Sequence, residues 1–481
     1  MRNPGLPDAR ALVNPSQEQP NLKMPVSPAR RAAFEILRRV EDEGAYASFL
    51  LAATDERLRD DDRALCYELV LGVLRRQSWL DRALERFANR RLKGVDLAVK
   101  LALRLGLYQL RFLSRIPPSA AVNESVSLVR AAGLQSAASF ANAVLRRATR
   151  EPDYDPVTGV TDPIEKLAIE TSHPEWLIDR WVNAFGFDEA AALARANNEA
   201  APVAFRLTAK AFTQAQTSQQ IVQRLETSGV NVAPSEITPD AWRVMRSERV
   251  EMAQVGDFRR TPALLRDLAR QGLIYFQDEA SQLVAHLLDA QTGDRVLDVC
   301  AAPGSKTTHI ASLAPGAMIV AGDLHEHRLR TLRELATTQG NDSIRLVVQD
   351  ATGDLPFADG SFDRVLVDVP CSGTGTLRRN PEIRWRIGLA DIAELSSKQT
   401  RILANATRMV RPGGILLYST CSLEKDENEA VAKAFIKEHV EFNQLRPDDA
   451  GHLLTESGAI RTWPHRQDVD GFFMIVFQRR I

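Results

Sequence analysis

Asp298-Val299-Cys300-Ala301-Ala302-Pro303-Gly304-Ser305-Lys306-Thr307 is the stretch around which this 481-residue chain is organised. Residues 295–300 read as a short buried strand: Val296, Leu297 and Val299 are apolar, and Gly293-Asp294 and Pro303-Gly304 break the pattern on either side. A helical run over 306–313 comes immediately after. A strand that turns through Pro-Gly into a helix N-terminus is where α/β folds seat a nucleotide-like ligand. Gly304 lets the backbone approach such a ligand, and the N–H groups of the first helical turn stay free to bind it. The stretch matches neither G-x-x-x-x-G-K-[ST] nor G-x-G-x-x-G, and purely structural βα turns share its outline, so its meaning depends on the strands downstream.

Those strands carry chemistry at one end. Met318-Ile319-Val320-Ala321-Gly322-Asp323 is a second apolar strand that ends in an acid, at the spacing where a carboxylate accepts from both ribose hydroxyls of an adenosine-type cofactor. A strand over 344–348 ends in Gln349-Asp350, and one over 362–367 delivers Asp368-Val369-Pro370-Cys371. A strand over 414–418 delivers Ser419-Thr420-Cys421-Ser422. Any one of these acids reads equally well as a helix cap. Five successive strands with polar or reactive ends are what a crevice along the carboxyl edge of a parallel sheet requires.

Two of those ends carry thiols. Cysteine is among the most buried residue types and is usually inert. Cys371 and Cys421, however, both fall at the expected ligand edge, among small polar residues, and a thiolate near a helix N-terminus or a cation is a nucleophile. The four cysteines (66, 300, 371, 421) form no C-x-x-C pair and have no histidine at ligand spacing, which argues against a zinc site or a disulfide framework and for reduced thiols in the cytoplasm.

The length calls for two or three domains. No apolar run is long enough to span a bilayer, so no membrane is expected. Residues 1–25, rich in Pro, Asn and Gln, read as a disordered tail. Residues 26–150 show helical spacing throughout, with helices expected over 62–76, 78–88, 95–113, 119–132 and 136–149. The run at 95–113 is apolar on two faces and so is the buried central helix. This part holds 22 Lys/Arg against 14 Asp/Glu, a local +8 that leaves −9 for the rest of a chain whose net charge is −1. Nucleic-acid contact accounts for that asymmetry, and so does a solvated helical surface. Residues 151–165 read as a linker. From 166 to 285 the expectation is a small α+β region, with two short helices carrying Trp176 and Trp181, then strands at 204–207 and 274–276 and a helix at 213–228. The catalytic α/β domain takes 286–481.

As a set, these motifs closely resemble the Sun-type, RsmB-like RNA cytosine-C5 methyltransferases. The resemblance rests on 298–307 and 368–375, on Arg378-Arg379-Asn380-Pro381-Glu382-Ile383-Arg384-Trp385, on 418–423 with Glu427-Asn428-Glu429, and on Asp470-Gly471-Phe472-Phe473. Asp62-Arg63-Ala64-Leu65, Ala121-Val122-Asn123-Glu124-Ser125 and Phe140-Ala141-Asn142-Ala143-Val144-Leu145-Arg146-Arg147 resemble the NusB-like RNA-binding helical domain. Two positions depart from the pattern: Ser305 stands where a second glycine is usual, and 197–207 lacks one proline. Neither change removes a reactive group.

The resemblance implies a multidomain fold with an all-α NusB-like domain, a small α+β domain and a C-terminal Rossmann-like class I methyltransferase domain. It implies methyl transfer from S-adenosyl-L-methionine to cytosine C5 of small-subunit (16S) ribosomal RNA, with no metal, by a monomer. Cys421 would be the nucleophile that adds to C6, and Cys371 would assist product release. Asp368 would meet N3 of the base, and Lys306 would orient these groups. The cofactor would lie on Cys300, Ala301, Ala302, Pro303, Gly304, Ser305 and Lys306, with its ribose on Asp323 and further contacts from Asp350 and Asp368. Arg378, Arg379, Arg384 and Trp385 would form a basic–aromatic loop for RNA. A tRNA substrate, or an RNA-binding factor with no catalysis, are the competing readings; the intact Cys371, Cys421, Asp323 and Asp368 speak against the second.

Overall fold

The computed structural model describes residues 26–54, 58–213, 218–245 and 262–481. The tail expected over 1–25 and part of the helix expected over 213–228 lie outside the described residues. The described residues of Met1–Glu199, together with Leu377–Arg386, form one compact unit; those of Ala200–Ser247, Thr261–Thr376 and Ile387–Ile481 form a second.

The first unit is helical. Its opening helix, Pro28–Asp42, has proline at the first turn, where a missing N–H costs nothing, and buries Ala33, Phe34, Leu37 and Val40. Leu97–Phe112 is the central helix: Asp96 caps it by accepting from Ala98 N at 2.8 Å, and Leu101, Leu103, Leu105 and Leu107 are all buried. Gly106 lets the helix Ala138–Arg150 pack tightly, since a Cβ there would stand 2.6 Å from Leu145. Some of the positive charge counted over 26–150 is internal. Arg104 is buried between Asp81 (2.6 Å) and Glu41 (2.5 Å), and Arg30 pairs with Glu124 at 3.0 Å.

This unit extends past the expected linker. Tyr154 packs edge-on against Phe87, and the helices Pro163–Thr171, Glu175–Phe185 and Phe187–Ala196 belong to the unit, with Trp181 fully buried. The compact helical unit thus runs to Glu199, ahead of the first strand of the second unit at Ala204.

In the second unit, β1 (Ala204–Leu207), β2 (Val232–Pro234), β3 (Ala241–Val244) and β4 (Ile274–Phe276) form an antiparallel sheet of order β2-β3-β1-β4. Helices Ser218–Thr227 and Ala263–Arg270 contribute Ile221, Leu225, Leu265 and Leu268 to a core with Phe205 and Ile274. Next come β5 (Arg295–Asp298), β6 (Met318–Asp323), β7 (Arg345–Val348), β8 (Phe362–Asp368) and β9 (Val410–Thr420). The chain ends with β10 (Phe442–Leu445), β11 (Ile460–Arg461) and β12 (Phe473–Arg479).

The large sheet runs β10-β12-β9-β8-β5-β6-β7, with β11 paired to β12. From β9 to β7 all pairings are parallel, whereas β12 is antiparallel to both β9 and β10. Strand order reverses beside β5, which has β6 on one side and β8 on the other. That is the switch point at which a crevice opens beyond the carboxyl ends of the strands.

Candidate active site

At that switch point β5 leads through Cys300–Gly304 into the helix Ser305–Leu313. Gly304 has φ +107°, which an L side chain rarely adopts, and a Cβ there would lie 2.5 Å from Leu332 Cγ. Asp298, 1% exposed, accepts from the Thr307 hydroxyl at 2.7 Å through Oδ2. Its other oxygen has no hydrogen-bond partner among the described residues. Burial, reinforced by the charge of Asp368, outweighs that hydrogen bond, the Lys306 charge and a weaker backbone contact from Cys300, and pushes the Asp298 carboxyl up to about 7.

Asp323, at the end of β6, accepts from Ala302 N (3.3 Å) and His325 N (3.0 Å) and lies 3.7 Å from Arg328. Its carboxylate therefore closes directly over the loop after β5. Gln349 is buried beside it, packed on Gly322, and its Oε1 also lacks a partner among the described residues. Asp350 is exposed, and its Oδ1 accepts from both the N–H and the hydroxyl of Thr352, which holds its carboxyl below the usual range.

These residues test the fit to S-adenosyl-L-methionine. Two buried oxygens, on Asp298 and Gln349, await donors, and the Asp323 carboxylate lines the same rim. An ammonium, a ribose diol and an adenine amino group are donors, so the acceptor set fits.

Across the switch point stand the thiols. Asp368 at the end of β8 accepts from the Ser419 hydroxyl at 2.7 Å and pairs with Lys306 Nζ at 2.7 Å. Burial opposes the Lys306 charge, but Asp368, Cys421 and Asp298 outweigh it and raise its pKa. Phe472, from the Asp-Gly-Phe-Phe motif ahead of β12, lies with its ring 5.3 Å below that ammonium. Cys371 and Cys421 approach to 3.2 Å between sulfurs. The hydrogen bond to Cys421, burial, and the charges of Cys421 and Glu427 raise the Cys371 pKa well above the usual thiol value. Burial and three neighbouring aspartates do the same to Cys300, which leaves it an unreactive wall of the loop. Backbone bonds stitch the walls together: Gly375 N donates to Cys421 O (2.9 Å) and Gly471 N to Gly375 O (2.8 Å).

The structure therefore gathers Asp298, Cys300 to Lys306, Asp323, Asp368, Cys371 and Cys421 at the carboxyl end of the parallel strands, with Asp350 exposed two residues beyond β7. The basic loop is a correction. Arg378 and Arg384, expected to face RNA, are 1% and 0% exposed and belong to the helical unit. The Arg384 guanidinium donates to the carbonyls of Thr171 (3.3 Å) and Ser172 (3.1 Å) and to Asn198 Oδ1 (3.0 Å), while Arg75 donates to Arg378 O at 2.6 Å. A guanidinium enclosed by carbonyls is not presented to a phosphate. Arg379 and Trp385 are partly exposed.

Four residues join the site to which the sequence reading gave no role: Asp298, Gln349 and Phe472, which lie in or beside the quoted motifs, and Arg206. Arg206 donates from β1 to Gln277 (2.8 Å), Thr308 (3.0 Å), Ser305 O (3.2 Å) and Gln339 (3.2 Å), and stacks on Tyr275. The signal available for it is an arginine inside the apolar run Ala204-Phe205-Arg206-Leu207. Among the described residues no cluster of three metal-ligating side chains occurs, and no helix is long and apolar enough to cross a membrane.

The profile of the 16S rRNA methyltransferase RsmB/F family matches residues 285–478. The NusB family matches 27–150, and the ferredoxin-like domain of RsmF/B-like methyltransferases matches 173–251. A probable ribosomal RNA small subunit methyltransferase B of Bacillus subtilis is 34% identical over 463 residues, 94% of this chain and 98% of that protein. The crystal structure of PH0851 superposes with a TM-score of 0.77 at 25% identity, over 95% of this chain and all of that one. A methyltransferase homologue from Pyrococcus horikoshii does so with a TM-score of 0.55 at 26% identity, over 66% of this chain and all of that one. Matched along nearly its whole length by relatives of this kind, the chain belongs to the RsmB/F family of 16S rRNA methyltransferases.

Proposed function

We propose that the protein methylates C5 of a cytosine in small-subunit ribosomal RNA by way of a covalent adduct between Cys421 and C6 of the base. The observation that carries this reading is the pair of sulfurs 3.2 Å apart beside the Lys306–Asp368 ion pair, at the switch point of the sheet. Cytosine C5 is too weak a nucleophile to take a methyl group unaided, and addition of a thiolate at C6 turns the ring into an enamine. S-adenosyl-L-methionine, the methyl donor, supplies an electrophilic sulfonium methyl when bound. Asp323 would hold its ribose, Asp298 and Gln349 would accept from its amino groups, and Cys300 to Lys306 would provide the floor, with Asp350 and Asp368 at the edges.

The chain's own groups divide the remaining work. Cys421 adds to C6, and the electron pair moves toward N3, which takes a proton by way of Asp368 from the Lys306 ammonium paired with it. After transfer a base removes the C5 proton, the C5–C6 double bond re-forms and Cys421 leaves as thiolate. Cys371, whose environment favours the thiol, stands 3.2 Å from that sulfur and assists release. The target base has to be unpaired or flipped to reach the thiols.

The test is direct. Wild type, Cys371→Ala and Cys421→Ala are incubated with total RNA and S-adenosyl-L-methionine, then run on denaturing gels. Cys371→Ala is expected to accumulate a protein–RNA band, Cys421→Ala to give neither band nor methylation, and sequencing of the trapped RNA to show a 16S cytosine. A band from Cys421→Ala alone would reverse the two roles, and absence of methyl transfer from wild type would sink the reading.

A further inference from the structure

Behind the two thiols lies a buried carboxylate that takes no part in the chemistry above. Glu427 is 0% exposed and has no Lys or Arg partner among the described residues. Its Oε1 accepts from Ser372 N at 2.9 Å and from Gln399 Nε2 at 2.8 Å. Its Oε2 makes short contacts with the hydroxyls of Ser372 and Ser422. Ser372 directly follows Cys371 and Ser422 directly follows Cys421. One carboxyl group therefore grips both cysteine loops at the residue next to each sulfur.

The grip is reinforced from two sides. Gln399, on the helix Leu389–Thr407, also donates to Pro370 O at 3.0 Å, so the residue before Cys371 is held as well as the one after it. Tyr418, on β9, donates to the Glu427 carbonyl at 2.6 Å, and Asn428 Nδ2 donates to Ser422 O at 2.8 Å. A buried carboxylate without a cation is costly, and four hydrogen-bonding contacts lower that cost only while both loops stay in place. A core that merely needed filling would take an apolar side chain here at no such cost.

We propose that Glu427 is a positioning residue for methyl transfer: it registers the Cys371 loop against the Cys421 loop through the residue that follows each sulfur. The inference rests on the assignment of Cys421 as nucleophile and Cys371 as release group. One electrostatic consequence accompanies it: Glu427 is among the groups that raise the Cys371 pKa, after the hydrogen bond to Cys421, burial and the charge of Cys421. Exchanging Glu427 for an amide removes that contribution and replaces one acceptor of the grip by a donor.

The experiment uses the full chain and two readouts. The first needs no RNA: wild type and Glu427→Gln are reduced, alkylated with iodoacetamide across a pH series, and each cysteine is quantified by peptide mass spectrometry. Glu427→Gln is expected to move the Cys371 alkylation midpoint to lower pH. The second is steady-state methylation, where displacement of a reacting sulfur by about an ångström lowers kcat on the order of a hundredfold. The KM for RNA is expected to stay put, because Glu427 is buried. Glu427→Asp, which keeps the charge but shortens the reach, should retain the wild-type alkylation order while still losing kcat.

If Glu427→Gln shows no cooperative melt, Ser372→Ala with Ser422→Ala removes the two hydroxyl contacts instead. That variant is expected to lose kcat in the same direction with KM unchanged. An unaltered alkylation profile in Glu427→Gln, or unaltered kcat in whichever variant folds, overturns the proposal. Failure of the underlying reading looks different, because wild type itself would then neither methylate nor form an adduct, while the alkylation series would still report on Glu427.

Discussion

Asp298 shows how a single residue links the cofactor site to stability. Its carboxyl is raised to about 7, chiefly by burial, and one of its oxygens has no partner among the described residues. An acid whose folded pKa lies above its unfolded value favours the folded state below the unfolded pKa, and that contribution is lost as pH rises through the folded pKa. For Asp298 the window runs from about 4 to about 7, at up to ~1.4 kcal/mol per pH unit. The cofactor-free protein is therefore expected to lose thermal stability across that window, and Asp298→Asn to flatten the slope while weakening S-adenosyl-L-methionine binding. Scanning calorimetry at several pH values, with titration calorimetry for the cofactor, checks both; an unchanged slope in Asp298→Asn would remove Asp298 as its source. Arg384 makes the complementary point, since its identity suggests a phosphate ligand and its surroundings are backbone carbonyls. Arg384→Ala is expected to destabilise the helical unit by about 2–4 kcal/mol, because carbonyls lose their donor inside a buried site. The salt dependence of RNA binding should stay as it was, and a shallower salt slope in filter binding would restore the phosphate role.

At the scale of elements, β1 and the helix Ser305–Leu313 are fastened to each other by Arg206, whose guanidinium donates to Ser305 O and Thr308 Oγ1. Its acceptors are neutral carbonyls, amides and a hydroxyl, and burial pulls the guanidinium down to about 9. The antiparallel sheet of the second unit is thus tied to the residue next to Lys306. Arg206→Met keeps the bulk and removes the donors. It is expected to lower the melting temperature by several degrees and to weaken cofactor binding about tenfold, without changing the order in which the thiols alkylate. Retention of wild-type cofactor affinity in a destabilised protein would reduce Arg206 to a purely structural tie. The same scale explains which strands are legible in the sequence. β5, β6, β8 and β9 announce themselves as apolar runs that end in Asp298, Asp323, Asp368 or Ser419-Thr420. β2 and β3 are three and four residues long and partly exposed, so no alternation develops in them, whereas β12 lies in the unbroken apolar run 472–477, to which the sequence reading assigned no strand.

For the whole molecule, three matched regions in one order (a NusB match, a ferredoxin-like match and a methyltransferase match) correspond to the helical, α+β and α/β parts expected from the changing periodicity. The cofactor loop, the acids at strand ends and both thiols are written into local patterns, because a βα turn, an apolar strand and a Pro-Cys loop are each specified by neighbours in the chain. Local patterns carry no information on where side chains meet when their loops are far apart in sequence. The 3.2 Å separation of Cys371 and Cys421, the carboxylate of Glu427 between their loops, and the burial of Arg378 and Arg384 in the helical unit are set by packing. What the sequence by itself determined was the inventory of reactive groups and the edge of the sheet that carries them. Which of those groups touch, and which basic residues are withdrawn from solvent, only the tertiary structure decided, because desolvation and pairing depend on every element that closes around a side chain.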